Sequence, residues 1–542
     1  MTDSIVELAR ARFGDLNPAE ERLLVAVAEG RTVDFSPPPA GQARERDTTS
    51  VPADRPPGPV TSDSGSSLIQ AGADVAGASL GRVLRADRLA WLATEASRFV
   101  THRGIAVKGA RIDGRLDLQA ANIVFPIHFE RCELAAGISL LGAEIHALNL
   151  SGSIVSRISA DGMKVEAGVY LRAGFRAAGR VRLSGATIGG NLDCDGGQFI
   201  SPGSEAIMAD GLKVQGSISL GAGFRAEGQV RLPGAQIGGS LNLSGGALVN
   251  PGADAIVADR LKVEGNVFFS EGFLVDGRVG LPGAQIAGYL VWNAARNPQQ
   301  ATIDLRSARV GTLWMDRASW PEPGKLHLHG LTYDEMDERA AVDSATRIAW
   351  LQLQPPAPFR PQPYEQLATV LRRDGYADDA KQILYAKEVD RARLTRLTWS
   401  EWPWYRLFGP LIGYGYKPWR ALWLSLAVVL LGTVLFSLGA RAGVMTPAKG
   451  EAYLPDKPTE IASYYPKLQP FMYSVDTFTP LISLDQADFW FPNSELGATI
   501  ALGPLSVTTG SLLRSYMWFH IIAGWILSTL LFVGLTGSVP GT

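Results

Sequence analysis

The chain has 542 residues, 46% of them apolar, enough to bury several cores, and this predicts three or four regions. Its formal net charge is −2 and no block of like charge stands out, which argues against an electrostatic nucleic-acid binder and against a strongly acidic mimic of DNA. With two cysteines only, Cys132 and Cys194, neither a disulfide framework nor a cysteine-based metal site is expected, and no cofactor is implied.

In chain order, the first eight residues carry no basic stretch followed by an apolar core, so they do not read as a signal peptide. Residues 1–32 predict one or two short amphipathic helices, with Asn17-Pro18-Ala19-Glu20 as a helix start. They are expected either as a detached partner-binding element or as a loosely packed N-terminal flap. Residues 33–79, rich in Pro, Gly, Ser and Asp, predict a flexible linker. Within 80–103, Leu89, Leu92, Ala96 and Phe99 recur at helical spacing just before the first strand. That predicts a helical cap over an otherwise raw end of β structure.

Residues 104–330 repeat themselves. The clearest copies start at Arg157, Ala206 and Ala255, 49 residues apart, and a fixed period of this kind decides the architecture. Inside each copy a unit of Gly-x-Φ-x-Φ recurs (Φ apolar), as in Gly216 to Leu220, Gly228 to Leu232 and Gly239 to Leu243. Short alternating runs mean strands with one buried face, and the Gly before each run suits a tight corner. Two units make a coil of about 22 residues, with a loop such as Ser201 to Ser204 or Asn250 to Ala253 at every second coil. Both cysteines fall at inward strand positions and read as small buried apolar residues. At about 4.8 Å per coil the rod would be roughly 50 Å long.

The stretch Gly109 to Leu118 and its kin resemble a degenerate pentapeptide-repeat solenoid, a right-handed quadrilateral β-helix, and share the Gly-x-Φ-x-Φ rhythm of bactofilins. The strict Ala-Asp/Asn-Leu pentad is not kept. The whole chain is similar to a group of bacterial membrane proteins that couple such a solenoid to a two-span membrane domain, sometimes labelled membrane-associated oxidoreductase. The resemblance implies an architecture and no reaction. The fold class expected is therefore mainly β: a right-handed parallel β-helix with helical caps, an αα-hairpin adaptor and two transmembrane helices.

Residues 331–398 predict the helical adaptor: a helix over 340–353, a Pro-rich joint, then Tyr364 to Leu371 and Asp378 to Leu384 flanking the stop at Gly375. Residues 399–542 predict a membrane domain. Trp399, Trp402, Trp404, Trp419 and Trp423 mix with basic residues as at a bilayer surface, and spans are expected at 421–440 and 515–536. Arg391, Arg393, Arg396, Arg406, Lys417 and Arg420 crowd the near side of the first span. By the positive-inside rule this places the solenoid and both termini in the cytoplasm of a bacterial inner membrane, with 441–514 outside.

The strongest functional lead lies between the spans. Tyr473 to Asp485 resembles the pore helix and filter entry of two-span potassium channels. The matching positions are Tyr473, Ser474, Val475, Thr477, Phe478, Thr479 and Asp485, and the resemblance makes Tyr473, Asp476, Thr477, Thr479, Ser483 and Asp485 pore-loop candidates. Where that family has Gly-Tyr-Gly this chain has Ile482-Ser483-Leu484, which resist the conformations a carbonyl filter needs. The alternative is a segment lying flat on the outer leaflet, anchored by Phe489, Trp490 and Phe491. Gly413 to Tyr416 looks like a filter but precedes the first span and reads as a turn. His520 is an ionisable residue expected near the outer end of the second span, with a belt role favoured over a proton-linked one. His327 and His329 share a strand face but have no third ligand in sight. Asp193 and Asp195 point outward, yet 49 residues on stand Asn242 and Ser244, so no acidic ladder continues.

The function expected first is a non-enzymatic, membrane-anchored docking, sensing or assembly scaffold with a cytoplasmic protein partner. An oligomeric two-span pore-loop channel, not potassium-selective, comes second, and a membrane-associated enzyme third. The bilayer and further copies of the chain are the other partners expected, and nucleic acid is not.

Overall fold

The computed structural model describes residues 2–36, 81–337, 339, 343–409, 413–417, 419–454, 457–480, 482–502 and 505–535. They form two compact units, Met1–Asp379 and Ala380–Thr542. The linker expected over 33–79 lies outside the described residues, apart from its first four.

The first unit is a parallel β-solenoid of about ten turns, built from four short strands per coil. Val165, Ile188, Val214, Ile237, Val263 and Ile286 stand in register on successive coils, so the coils alternate between 23 and 26 residues. Together they make the 49-residue period. The longer coils carry the extended arms Gln198–Met208 and Ala247–Val257, which hold the Pro-Gly loops noted in the sequence. Inward residues are buried in every coil, and Phe175, Phe199 and Phe224 stack at centroid distances of 5.4 and 5.2 Å. Each fully buried aliphatic or aromatic side chain contributes about 1.5–3 kcal/mol, against the entropy of ordering the chain.

The corners explain the glycines. A Cβ on Gly189 would sit 2.1 Å from the Glu166 carbonyl oxygen of the preceding coil, and one on Gly238 would sit 2.3 Å from that of Gln215. Only a bare Cα lets the backbones stack at coil spacing there. Beside this column runs a polar ladder. The Asn191 side chain accepts from Ser217 N (2.8 Å), Ser217 Oγ from Ser240 N (3.1 Å), Ser240 Oγ from Asn266 N (3.0 Å), and Asn266 from Tyr289 N (2.8 Å). Each coil thereby satisfies a corner N–H of the next.

Both ends of the rod are covered. Helices α1 (Thr2–Phe13) and α2 (Pro18–Ala28) are not a detached element: the Asn17 amide donates to the Val83 carbonyl at 3.0 Å, and Phe13 meets Trp91 edge-on at 5.5 Å. Glu20, buried at the start of α2, pairs with Arg85 at 2.7 Å. Burial alone would raise its pKa, and the hydrogen bonds from Arg85 and Asn17 outweigh that and hold it down. Val33 and Asp34, read as linker in the sequence, instead form a parallel strand on Ile105–Lys108. Helix α3 (Ala86–Ala93) completes this cap.

At the other end the solenoid runs past residue 330, because Thr332–Met336 pairs with Arg309–Met315. Helices α4 (Ser344–Leu351) and α5 (Gln362–Arg373) follow. The Gln362 and Gln366 amides donate to the carbonyls of Leu331 (3.0 Å) and Tyr333 (2.8 Å), so α5 caps the last coil rather than serving only as adaptor. Helix α6 (Ala377–Leu394) contains the boundary between the units.

In the second unit, α7 (Trp419–Arg441) and α9 (Thr509–Leu535) are long and apolar enough to cross a membrane. Leu426, Leu430, Val434, Phe519, Ile522 and Ile526 are exposed along them, a surface suited to lipid and a liability in water. Between them lies the short helix α8 (Pro470–Phe478), with three small antiparallel strand pairs.

Candidate functional site

Helix α8 is wedged between α7 and α9 at mid-length, a packing that the alternative of a segment lying flat on the outer leaflet does not account for. Ser474 Oγ donates to the Val429 carbonyl at 2.8 Å, and Val429 is the eleventh of the 23 residues of α7. Two glycines open the seat. A Cβ on Gly432 would lie 2.4 Å from Ser474 Oγ, and one on Gly524 would lie 1.9 Å from the Phe478 carbonyl oxygen. Small residues allow this approach in an apolar setting, where a Leu-sized side chain would keep the helices apart.

His520 is the polar hinge-pin of the seat. It is the twelfth of the 27 residues of α9 and fully buried, so it lies near mid-helix and not at the outer end where a belt role was expected. Its Nε2 is 3.0 Å from the Ser474 carbonyl oxygen, which only accepts, so Nε2 carries the proton. In that tautomer Nδ1 is an acceptor, and the Tyr516 hydroxyl 3.3 Å away donates to it. Phe436 and Phe478 close around the ring, with centroids at 5.8 and 5.5 Å. The imidazole thus joins all three helices through one chain of polar contacts.

The other pore-loop candidates divide into two groups. Tyr473 is buried, its hydroxyl 3.3 Å from the Met517 sulfur and its ring 4.8 Å from Phe436. Thr477 and Thr479 turn their hydroxyls back onto the carbonyls of Tyr473 and Val475, each at 2.7 Å. Asp476, Ser483 and Asp485 organise the exposed turn after α8. The Asp476 carboxylate accepts from Leu484 N (2.6 Å) and Ala487 N (2.8 Å), and Ser483 Oγ lies 3.3 Å from Asp485. Of the described residues of this turn, only Asp485 has a positive φ, +60°. Trp490, expected as a membrane anchor, instead packs in a buried cluster with Phe436, Tyr465 and Tyr473, and its Nε1 donates to Pro466 O at 2.9 Å. Sequence reasoning overlooked Gly432, Tyr516 and Gly524, and matched Ser474 to a pore helix without giving it a role. A glycine within each apolar helix was the available signal.

The remaining candidates serve the solenoid. Asp195 accepts from Ser219 Oγ (2.6 Å) and Gly221 N (2.9 Å), and Asp193 pairs with Arg172 at 2.7 Å. His327 pairs in register with Asp304, and burial lowers its pKa. Asp304 is fully buried, which by itself would raise its pKa. The side-chain bonds from Arg306 (2.7 Å) and Arg278 reverse this and hold it down. Cys132 and Cys194 are buried, and desolvation raises both thiols, Cys132 to about 11. Among the described residues no three His, Cys, Asp or Glu side chains gather as a metal site.

Fold and site together define a class: a parallel β-solenoid joined to a unit with two membrane-length helices and a short helix seated between them. No protein-family model, curated protein or solved structure matches the chain.

Proposed function

We propose that the chain is a bacterial inner-membrane protein of pore-loop architecture that works as a homo-oligomer, with the β-solenoid as its rigid docking or sensing scaffold. The observation that carries this reading is the seat of α8 at the middle of α7 and α9, held by Ser474, His520 and two glycines. A simple tether needs two apolar helices and no third one between them. Two helices cannot enclose a pore, so several copies would surround one, with the turn from Thr479 to Asp485 near the axis. The exposed apolar side chains of Ile482 and Leu484 in that turn would meet the neighbouring copies. Ile482-Ser483-Leu484 does not provide the left-handed conformations of a carbonyl filter, so potassium selectivity is not expected. The basic residues before α7 support a cytoplasmic solenoid by the positive-inside rule.

A tethered scaffold without ion flux is the second reading, favoured by the side-chain ladder that ties coil to coil into one stiff surface. Liposome flux with Asp485→Cys separates the two. Because Cys132 and Cys194 are buried with raised thiols, the introduced cysteine is the reactive one. Cation flux that a charged thiol reagent changes severalfold in the variant and not in the wild type is the expected result. An inserted protein without flux would leave the scaffold alone.

A further inference from the structure

The segment joining α6 to α7 sorts its aromatic residues by type. Tyr405 and Tyr414 are buried with Ala392, and Tyr385, Leu397 and Tyr416 pack against them. The Tyr405 hydroxyl donates to Glu388 at 3.1 Å and that of Tyr414 to the Tyr405 carbonyl at 3.0 Å. Lys417 Nζ lies 4.1 Å from the centre of the Tyr385 ring. This small core folds Leu397, Tyr405, Tyr414 and Tyr416 back on the end of α6. Every Trp of the segment is left outside it: Trp399 is 90% exposed, Trp402 50%, Trp404 39%, and Trp419 and Trp423, at the start of α7, 56% and 60%. Arg393, Arg396 and Arg406 are exposed among them, and among the described residues no ion pair ties them to a carboxylate.

Indole rings settle at the headgroup level of a bilayer, and guanidinium groups bind phosphate as a fork. We infer that this collar binds anionic phospholipid headgroups in the leaflet on the solenoid's side. A neutral surface would satisfy the indoles alone, whereas the three unpaired cations call for negative charge. The inference rests on the membrane-crossing reading of α7 and α9 and is independent of ion flux.

The test uses full-length protein in nanodiscs, with energy transfer from Trp to dansyl-labelled phosphatidylglycerol or phosphatidylcholine. Insertion is checked first by carbonate extraction, and failure there would overturn the membrane reading and this one together. At low salt the anionic lipid should bind at least tenfold more tightly, and the preference should shrink as salt rises. Each cation near an anionic surface is worth about fivefold, so R393Q/R396Q/R406Q should bring the two lipids close to parity. R393K/R396K/R406K, which keeps the charge, should retain most of the preference and so guards against mere misfolding. Equal binding of the two lipids by the inserted wild type would overturn the inference. So would a preference that survives the glutamine variant, or one removed instead by R441Q/R514Q at the opposite helix ends.

Discussion

Solenoid and membrane unit both rely on glycine, but they use it differently. In the solenoid, corner glycines such as Gly189 and Gly238 recur in a column, and each admits the neighbouring coil's backbone. The same solution is copied along the rod, so a defect in one coil leaves the others intact. In the membrane unit, Gly432 and Gly524 each occur once and together admit one helix. Redundant contacts make a stiff and tolerant rod. Single contacts make a seat that one side chain can close.

The largest effect is expected where a single contact is closed. In Gly524→Leu the new Cβ would overlap the backbone carbonyl of Phe478, which has no flexible end to swing away. Overpacking of this kind costs roughly 3 kcal/mol or more. It should unseat α8, lower the melting temperature in detergent and abolish the proposed oligomer together.

Asp304→Ala tests the rod at its most costly polar site. It removes charge-assisted bonds from Arg278 and Arg306, but those arginines are about half exposed and water takes up part of the loss, leaving about 2–3 kcal/mol. Unfolding by urea, followed by circular dichroism, would measure it. The pH dependence has the same sign at two sites. Folded Asp304 and His327 both have lowered pKa values, so the unfolded chain binds more protons. Stability should be full at pH 7 and begin to fall below about pH 6.5, the ordinary value of a free His. It should fall further below about pH 4 as unfolded carboxylates take up protons. His327→Gln should shrink the first step and leave the second, with His128, whose pKa burial also lowers, keeping the rest of the first.

His520→Leu withdraws the side-chain donor of α9 from the Ser474 carbonyl, beside which the Thr477 hydroxyl lies at 3.3 Å, and leaves the Tyr516 hydroxyl to Val428 at 3.5 Å. A loss of about 1–2 kcal/mol is expected, with His520→Gln recovering part of it in the same melting assay. The smallest effect belongs to Ser240→Ala. It breaks one rung of the corner ladder and strands the Asn266 N–H, for about 1 kcal/mol in urea unfolding, while the coils on either side hold.

The same contrast sets how legible each region was. The rod announced itself because the 49-residue period repeats its apolar alternation and corner glycines, and the two coil lengths behind it came from the visible Pro-Gly loops. The corner ladder of Asn191, Ser217, Ser240 and Asn266 was hidden, because Asn and Ser are mixed there and no single residue type marks the column. The strand at Val33 and Asp34 is too short for any periodicity to reveal. At the pore-loop candidates, likeness to a pore helix singled out the segment that forms α8. It could not supply depth, which depends on Gly432 and Gly524, small residues that are common in apolar helices for other reasons. His520 was singled out as ionisable but placed at the rim, because the helix begins at Thr509 and not at Ser515.

Stoichiometry tests the central claim most directly. Mass photometry of the full-length protein in nanodiscs should give a closed ring of several copies, since α8 seated inside one copy serves a pore only when neighbouring copies complete it. A monomer, with α8 still seated, would contradict the pore-loop account and leave a tethered scaffold.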